Sequence, residues 1–213
     1  MSNLARWTEI FREMGLHGDP IVHAELRRRH SEPSRVFHTL HRVAECLDLF
    51  EQVRDLCDQP AEVELAIWFH DALYDVRRAD NELRSADWAR TVLQVAGASD
   101  TVIDAVCGLI IATAAQAEPV TEDEALMIDI DLSILGARPA RYAEYERQLR
   151  RESRHVPQQL YQSVRKKALR DYLARPRIYF TDWFKLRYET QARANLQRSL
   201  RQLSGGGLLQ GAM

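Results

Sequence analysis

The chain has 213 residues, 46% hydrophobic and 28% charged, so at about 150 residues per domain it holds one domain, or one with an elaboration, and is neither disordered nor collagen-like. Its 29 Lys+Arg against 31 Asp+Glu leave a formal charge of −2, and bulk electrostatics gives no reason to expect a nucleic-acid or acidic-membrane partner. Three cysteines, Cys46, Cys57 and Cys107, without a C-x-x-C pair fit a reduced cytoplasmic protein and exclude a disulfide scaffold.

The first residues, Met1 to Glu9, carry charges where a signal peptide needs an apolar core, and no run approaches about 18 apolar residues, so no membrane partner is expected. Glycine and proline are scarce, 9 and 7, which predicts an all-α fold. Trp7, Ile10, Phe11 and Met14 form the first amphipathic face, and Val43, Leu47 and Phe50 a second. An apolar run follows from Glu64 to Phe69, and Ser99 or Asp100 caps a run to Ile111. Thr121 and Glu124 make a capping box opening a helix that Gly136 closes, while Pro139 and Pro157 suit first-turn positions. Leu196, Leu200 and Leu203 mark a last helix, Asp182 to Leu203, set off by Arg175-Pro176-Arg177. It is too short to be a domain, so residues 1–203 read as a single helical domain with a docked C-terminal helix, and 204–213 as a flexible tail.

Charge is unevenly placed. Arginines cluster at 27–29, 147–154 and 165–177 and acids at 118–131, which leaves room for a local anion-facing surface.

The stretch Glu64 to Asp75 ends an apolar run in adjacent imidazole and carboxylate groups, His70 and Asp71. Burying that pair requires a compensating charge, and a divalent cation satisfies both at once. His38 and His41 are three apart, which on a helix puts them on one face. Asp129 and Asp131, inside an apolar helix, point about 200° apart, so one of them is the ligand. Asp75, four after Asp71, either positions a water or caps a helix end; Glu82 either orients a histidine or serves as a first-turn acid. Arg35 either clamps a phosphate or pairs with Glu32 or Asp48. Tyr142 and Tyr145 read as packing, and His17, His23, His30 and His155 carry no motif.

The order His, His-Asp, Asp on successive helices resembles the HD superfamily of metal-dependent phosphohydrolases. His41 resembles its first histidine, His70-Asp71 the doublet and Asp131 the last aspartate. The resemblance is closer to a group of small bacterial HD proteins and runs through Arg35 to His41, Trp68 to Tyr74, Asn81 to Ala86, Asp129 to Gly136 and Glu189 to Leu196. It implies an HD-type helical bundle with one divalent cation (Mn, Fe, Co, Ni, Zn or Mg) held by His41, His70, Asp71 and Asp131, and His38 nearby. It also implies hydrolysis of a phosphate ester in a nucleotide or other small phosphorylated metabolite, with Asp75 or Glu82 taking a proton and Arg35 neutralising the phosphoryl group. That small phosphorylated substrate is the one partner implied; a homodimer is left open. Where the group has a histidine, this chain has Gln116, which argues against a second metal. Two rivals remain: a catalytically altered HD domain that senses a nucleotide or metal, and a di-iron oxygenase.

Overall fold

The helix Pro60–Phe69 organises the first half of the chain, because every residue from Ala61 to Phe69 is buried. A helix that is apolar nearly all round has no solvent face to offer and must be enclosed by others. The computed structural model describes residues 4–114 and 118–205. Among them are ten α-helices, two short 3-10 helices and no strand. In chain order they are α1 (Leu4–Glu13), α2 (Pro20–Arg29), α3 (Leu40–Val53), α4 (Pro60–Phe69), α5 (Asn81–Val95), α6 (Asp100–Ala112), α7 (Glu122–Leu132), α8 (Pro139–Glu152), α9 (Gln158–Ala174) and α10 (Asp182–Gly205). None is long and apolar enough to cross a membrane. All three cysteines are free thiols.

The chain divides into two units, Met1–Asp131 and Leu132–Met213, and not near Arg175-Pro176-Arg177. In the first unit α4 packs against α1, α3, α5 and α6. The Trp7 ring stands 4.8 Å from Phe11, 6.3 Å from Trp68 and 6.4 Å from Phe69, and burial of each such side chain contributes roughly 1.5–3 kcal/mol. Glu64 lies inside this core. It accepts from Arg6 Nε at 2.7 Å and Arg54 Nη1 at 2.8 Å, and Glu13 links the two arginines at 2.9 and 2.6 Å. A carboxylate so deep is tolerated only because it is paired on both oxygens.

Local signals set the helix ends. Asp19 caps α2 by accepting from Ile21 N at 2.7 Å, and Ser99 caps α6. The capping box at α7 forms, with Glu124 N donating to Thr121 Oγ1 at 3.1 Å and the Glu124 carboxylate accepting from Val120 N at 2.6 Å. Three boundaries differ from the sequence expectation. The helix opened by Thr121 stops at Leu132 and tightens into a 3-10 turn, Ser133–Gly136. Pro157 is the N-cap of α9 and not its first turn, and α10 runs on through Ser204 to Gly205.

The second unit is built around that 3-10 turn. Its packing leaves no room for a side chain at Gly136, where a Cβ would lie 2.8 Å from both Tyr188 Cβ and the Tyr188 carbonyl oxygen. Asn195 of α10 is fully buried and donates to Leu135 O and Ala137 O, both at 2.8 Å; Tyr179 Oη donates to Leu132 O at 3.0 Å. Glu189 accepts from Ile178 N at 3.0 Å and from Arg193 Nε at 2.6 Å, and Arg193 reaches Arg175 O at 2.9 Å. The polar residues of the segment Glu189 to Leu196 thus serve as clamps on backbone. Replacing Asn195 by Ala strands two buried carbonyls, and we expect a loss of about 2 kcal/mol in urea unfolding with an unchanged slope; a loss below about 0.5 kcal/mol, the level of an ordinary surface substitution, would contradict the clamp.

Candidate metal centre

A helix leaves its last four carbonyls without internal partners, and at the end of α4 these lie in the interior. Each is met by a separate donor. Ala66 O accepts from His70 N at 2.9 Å, Ile67 O from His70 Nδ1 at 2.9 Å, Trp68 O from His30 Nε2 at 3.1 Å and Phe69 O from Ala72 N at 2.9 Å. Just beyond, Asp71 O and Ala72 O accept from Arg35 Nη1 at 2.5 Å and Nη2 at 2.9 Å.

This accounting sets the chemistry of His70. A carbonyl can only accept, so Nδ1 carries the proton and Nε2 is the atom facing the site. Nε2 is buried without a hydrogen-bond partner. It stands 3.2 Å from Asp71 Oδ2, outside hydrogen-bond geometry, and 3.7 Å from Asp131 Oδ1. Burial alone would depress the His70 pKa, but the Asp71 carboxylate, followed by that of Asp131, outweighs it and pushes the value up to about 9. Burial acts on Asp71 in the opposite sense and is likewise overcome: the charges of His70 and then His38 hold its carboxyl well below the usual range.

Asp131 is held by the same kind of contact. Arg42, buried on α3, donates Nη2 to Ile130 O at 3.2 Å and Asp131 O at 2.6 Å, the last carbonyls of α7 within this unit. Asp129 is fully buried, and of the two acids it is Asp131 whose carboxylate stands beside His70.

Several expected site residues lie elsewhere or do other work. His38 and His41 do not share a helix face, because Thr39 is the N-cap of α3 and His38 precedes the helix. His38 stacks on Tyr74 at 3.9 Å between ring centroids. His41, with its side chain 75% exposed, points at Glu45 at 3.6 Å; it lies on the face opposite Val43, Cys46 and Phe50. Arg35 is not open to a phosphate: its side chain is 1% exposed, and its donors go to backbone carbonyls and to Glu32 at 3.4 Å. Asp75 follows α4 on a loop, not one helical turn past Asp71. Its carboxylate accepts from Arg77 N at 3.0 Å, which with the Arg77 charge holds it below its ordinary value. Glu82 sits half-buried in the first turn of α5. Gln116 lies outside the described residues.

Two residues of the stretch Asn81 to Ala86, read in the sequence only as part of the family resemblance, shape this loop. Asn81 accepts from Asp75 N and donates to Asp75 O, both at 3.0 Å, and Ser85 accepts from Leu73 N at 3.0 Å. Side-chain amide and hydroxyl groups at the start of a helix commonly tie down the preceding loop. That was the available signal. His30, fully buried, had none.

As the side chains stand, no group of three or more His, Cys, Asp and Glu among the described residues is gathered closely enough to hold a metal ion. The donor set nonetheless suits one in kind: an imidazole of fixed ring orientation turns Nε2 toward two carboxylates, where a metal cation can take the place of the proton they favour, with a second imidazole near Asp71. Comparison with protein-family models, curated proteins and solved structures finds no match.

Two tests follow from this geometry. Arg35→Met leaves buried carbonyls unpaired and should cost about 3 kcal/mol in denaturant unfolding, against less than about 0.5 kcal/mol for the exposed Arg77→Met. The second concerns His30, whose pKa burial lowers from 6.5 to about 4. Between those values the unfolded chain takes up a proton that the native state refuses, so stability falls as pH drops from about 6.5 to 4, by on the order of 3 kcal/mol from this group. His30→Gln should flatten that limb of the pH–stability curve; an identical slope in the variant would show that His30 is not held neutral.

Proposed function

We propose that the chain is an HD-type metal-dependent phosphohydrolase acting on a nucleotide or other small phosphorylated metabolite, with one divalent cation held by His70, Asp71 and Asp131. The observation that carries the reading is the setting of His70 Nε2, where the Asp71 and Asp131 carboxylates favour a positive charge, the proton that raises its pKa or a metal cation in its place. Nε2 is buried, has no hydrogen-bond partner and faces the Asp71 and Asp131 carboxylates at 3.2 and 3.7 Å, a cost that a cation removes. In this reading the second histidine of the site is His38, beside Asp71 and Tyr74, and not His41, and it serves as an acid rather than as a ligand.

A bound divalent cation supplies Lewis acidity toward a phosphoryl oxygen and a source of hydroxide near neutral pH. The chain's own groups do the rest. Arg35 and Arg42 hold the backbone of Asp71 and Asp131, so the carboxylates are placed before substrate arrives. His38, outside the helix and supported by the Tyr74 ring, is placed to donate to a phosphoryl or leaving-group oxygen. A sensing role is the second reading. It is favoured by the engagement of Arg35 with backbone carbonyls and of Asp75 with Arg77, which removes the groups that would neutralise the phosphate and take up a proton.

Elemental analysis of the purified protein, paired with a phosphate-release screen over nucleotides and sugar phosphates, separates these readings. About one tightly held equivalent of metal is expected in wild type, lost in His70→Ala, Asp71→Ala and Asp131→Asn and kept in His41→Ala. Metal-dependent phosphate release that falls at least about 100-fold in His38→Ala supports the hydrolase with His38 as acid; metal without release supports the sensor. Wild-type protein that takes up no divalent cation sinks both.

A further inference from the structure

The formal charge of −2 conceals two opposed halves. Residues 1–131 hold 12 Lys+Arg against 25 Asp+Glu, and residues 132–213 hold 17 against 6. Within the second unit, α8, α9 and α10 line a pocket of about 590 Å³ whose walls include Arg147, Arg150, Arg151, Arg198, Tyr142 and Tyr161.

The one carboxylate in the pocket is already neutralised. Glu146 is gripped by Arg165 Nε at 3.1 Å and Nη2 at 2.9 Å and accepts from Tyr142 Oη at 2.6 Å. Ser199 of α10 hydrogen-bonds to the same pair, so side chains of three helices meet in a built polar floor. Arg150 donates to Ser153 O at 2.7 Å and Val156 O at 3.1 Å and lies 4.8 Å over the Tyr161 ring. Its charge remains uncompensated. Arg147, Arg151 and Arg198 have no hydrogen-bond or ion-pair partner among the described residues. The Tyr161 hydroxyl is buried with no partner.

Four cations converging on one cavity without a counter-charge repel one another, and an anion there relieves that repulsion. Guanidinium forks match phosphate oxygens in pairs. The cavity is larger than a lone phosphate requires, and Tyr161 with the apolar walls suits a flat ring. We infer that the α8–α10 pocket binds a nucleoside polyphosphate, with its phosphates on Arg147, Arg151 and Arg198 and its base against Tyr161. This site belongs to the second unit alone and does not depend on the hydrolase reading.

Equilibrium dialysis with labelled ATP in excess EDTA, at low salt, tests it with the full chain. One equivalent should bind to wild type and equally to His70→Ala. The triple variant Arg147→Ser, Arg151→Ser, Arg198→Ser changes exposed residues only, so its circular dichroism should be unchanged while affinity falls at least about 100-fold. ATP should bind at least about tenfold more tightly than tripolyphosphate, the difference being the stacked base. The inference is overturned by no binding at millimolar ATP, by binding the triple variant retains, or by binding lost in His70→Ala. It is overturned too if tripolyphosphate equals ATP, or if a single-stranded oligoribonucleotide binds and ATP fails to displace it.

Discussion

The ends of α4 and α7 leave backbone carbonyls in or at the edge of the interior, and the first unit is arranged around meeting that demand. Arg35, Arg42 and His30 are the donors, all buried and all delivered by elements other than the ones they serve. A buried carbonyl left unpaired costs about 1–3 kcal/mol, so these contacts are requirements and not additions. They also fix side chains. Once Ile67 O accepts a hydrogen bond from His70 Nδ1 and Arg42 secures Asp131 O, the imidazole and the carboxylate are held facing each other.

Much of this was legible in the sequence, for reasons that can be named. The capping box at Thr121, the cap at Ser99 and the apolar run of α4 act locally, and local chemistry is visible in a string of letters. The two histidines show where legibility ends. A spacing of three places His38 and His41 together only if both are helical, and Thr39, a good N-cap, is the residue that separates them. The buried stripe Val43, Cys46, Phe50 already leaves His41 on the solvent face. Arg35 misled for a different reason: its fork suits phosphate and backbone carbonyls alike, and only the position of Asp71 O and Ala72 O decides.

The polar residues around the site and along α10 act in the same way. Asn81, Ser85, Glu189, Arg193 and Asn195 hold backbone in place, and Gly136 makes room for Tyr188. Such motifs speak first to fold and only through it to chemistry. A chain can keep every one of them and still differ in what it turns over.

The site residues are joined by contacts that span long stretches of chain: 36 and 37 residues from Arg35 to Asp71 and Ala72, 88 and 89 from Arg42 to Ile130 and Asp131. Closing loops of that size early is entropically unfavourable, so the imidazole and carboxylates come into register only as the rest of the unit condenses. The doublet His70-Asp71 therefore has no standing as a portable cassette. Grafted as a segment into another helical scaffold, it would arrive without its guanidinium clamps, and the imidazole would be free to rotate to whichever tautomer the new surroundings allowed.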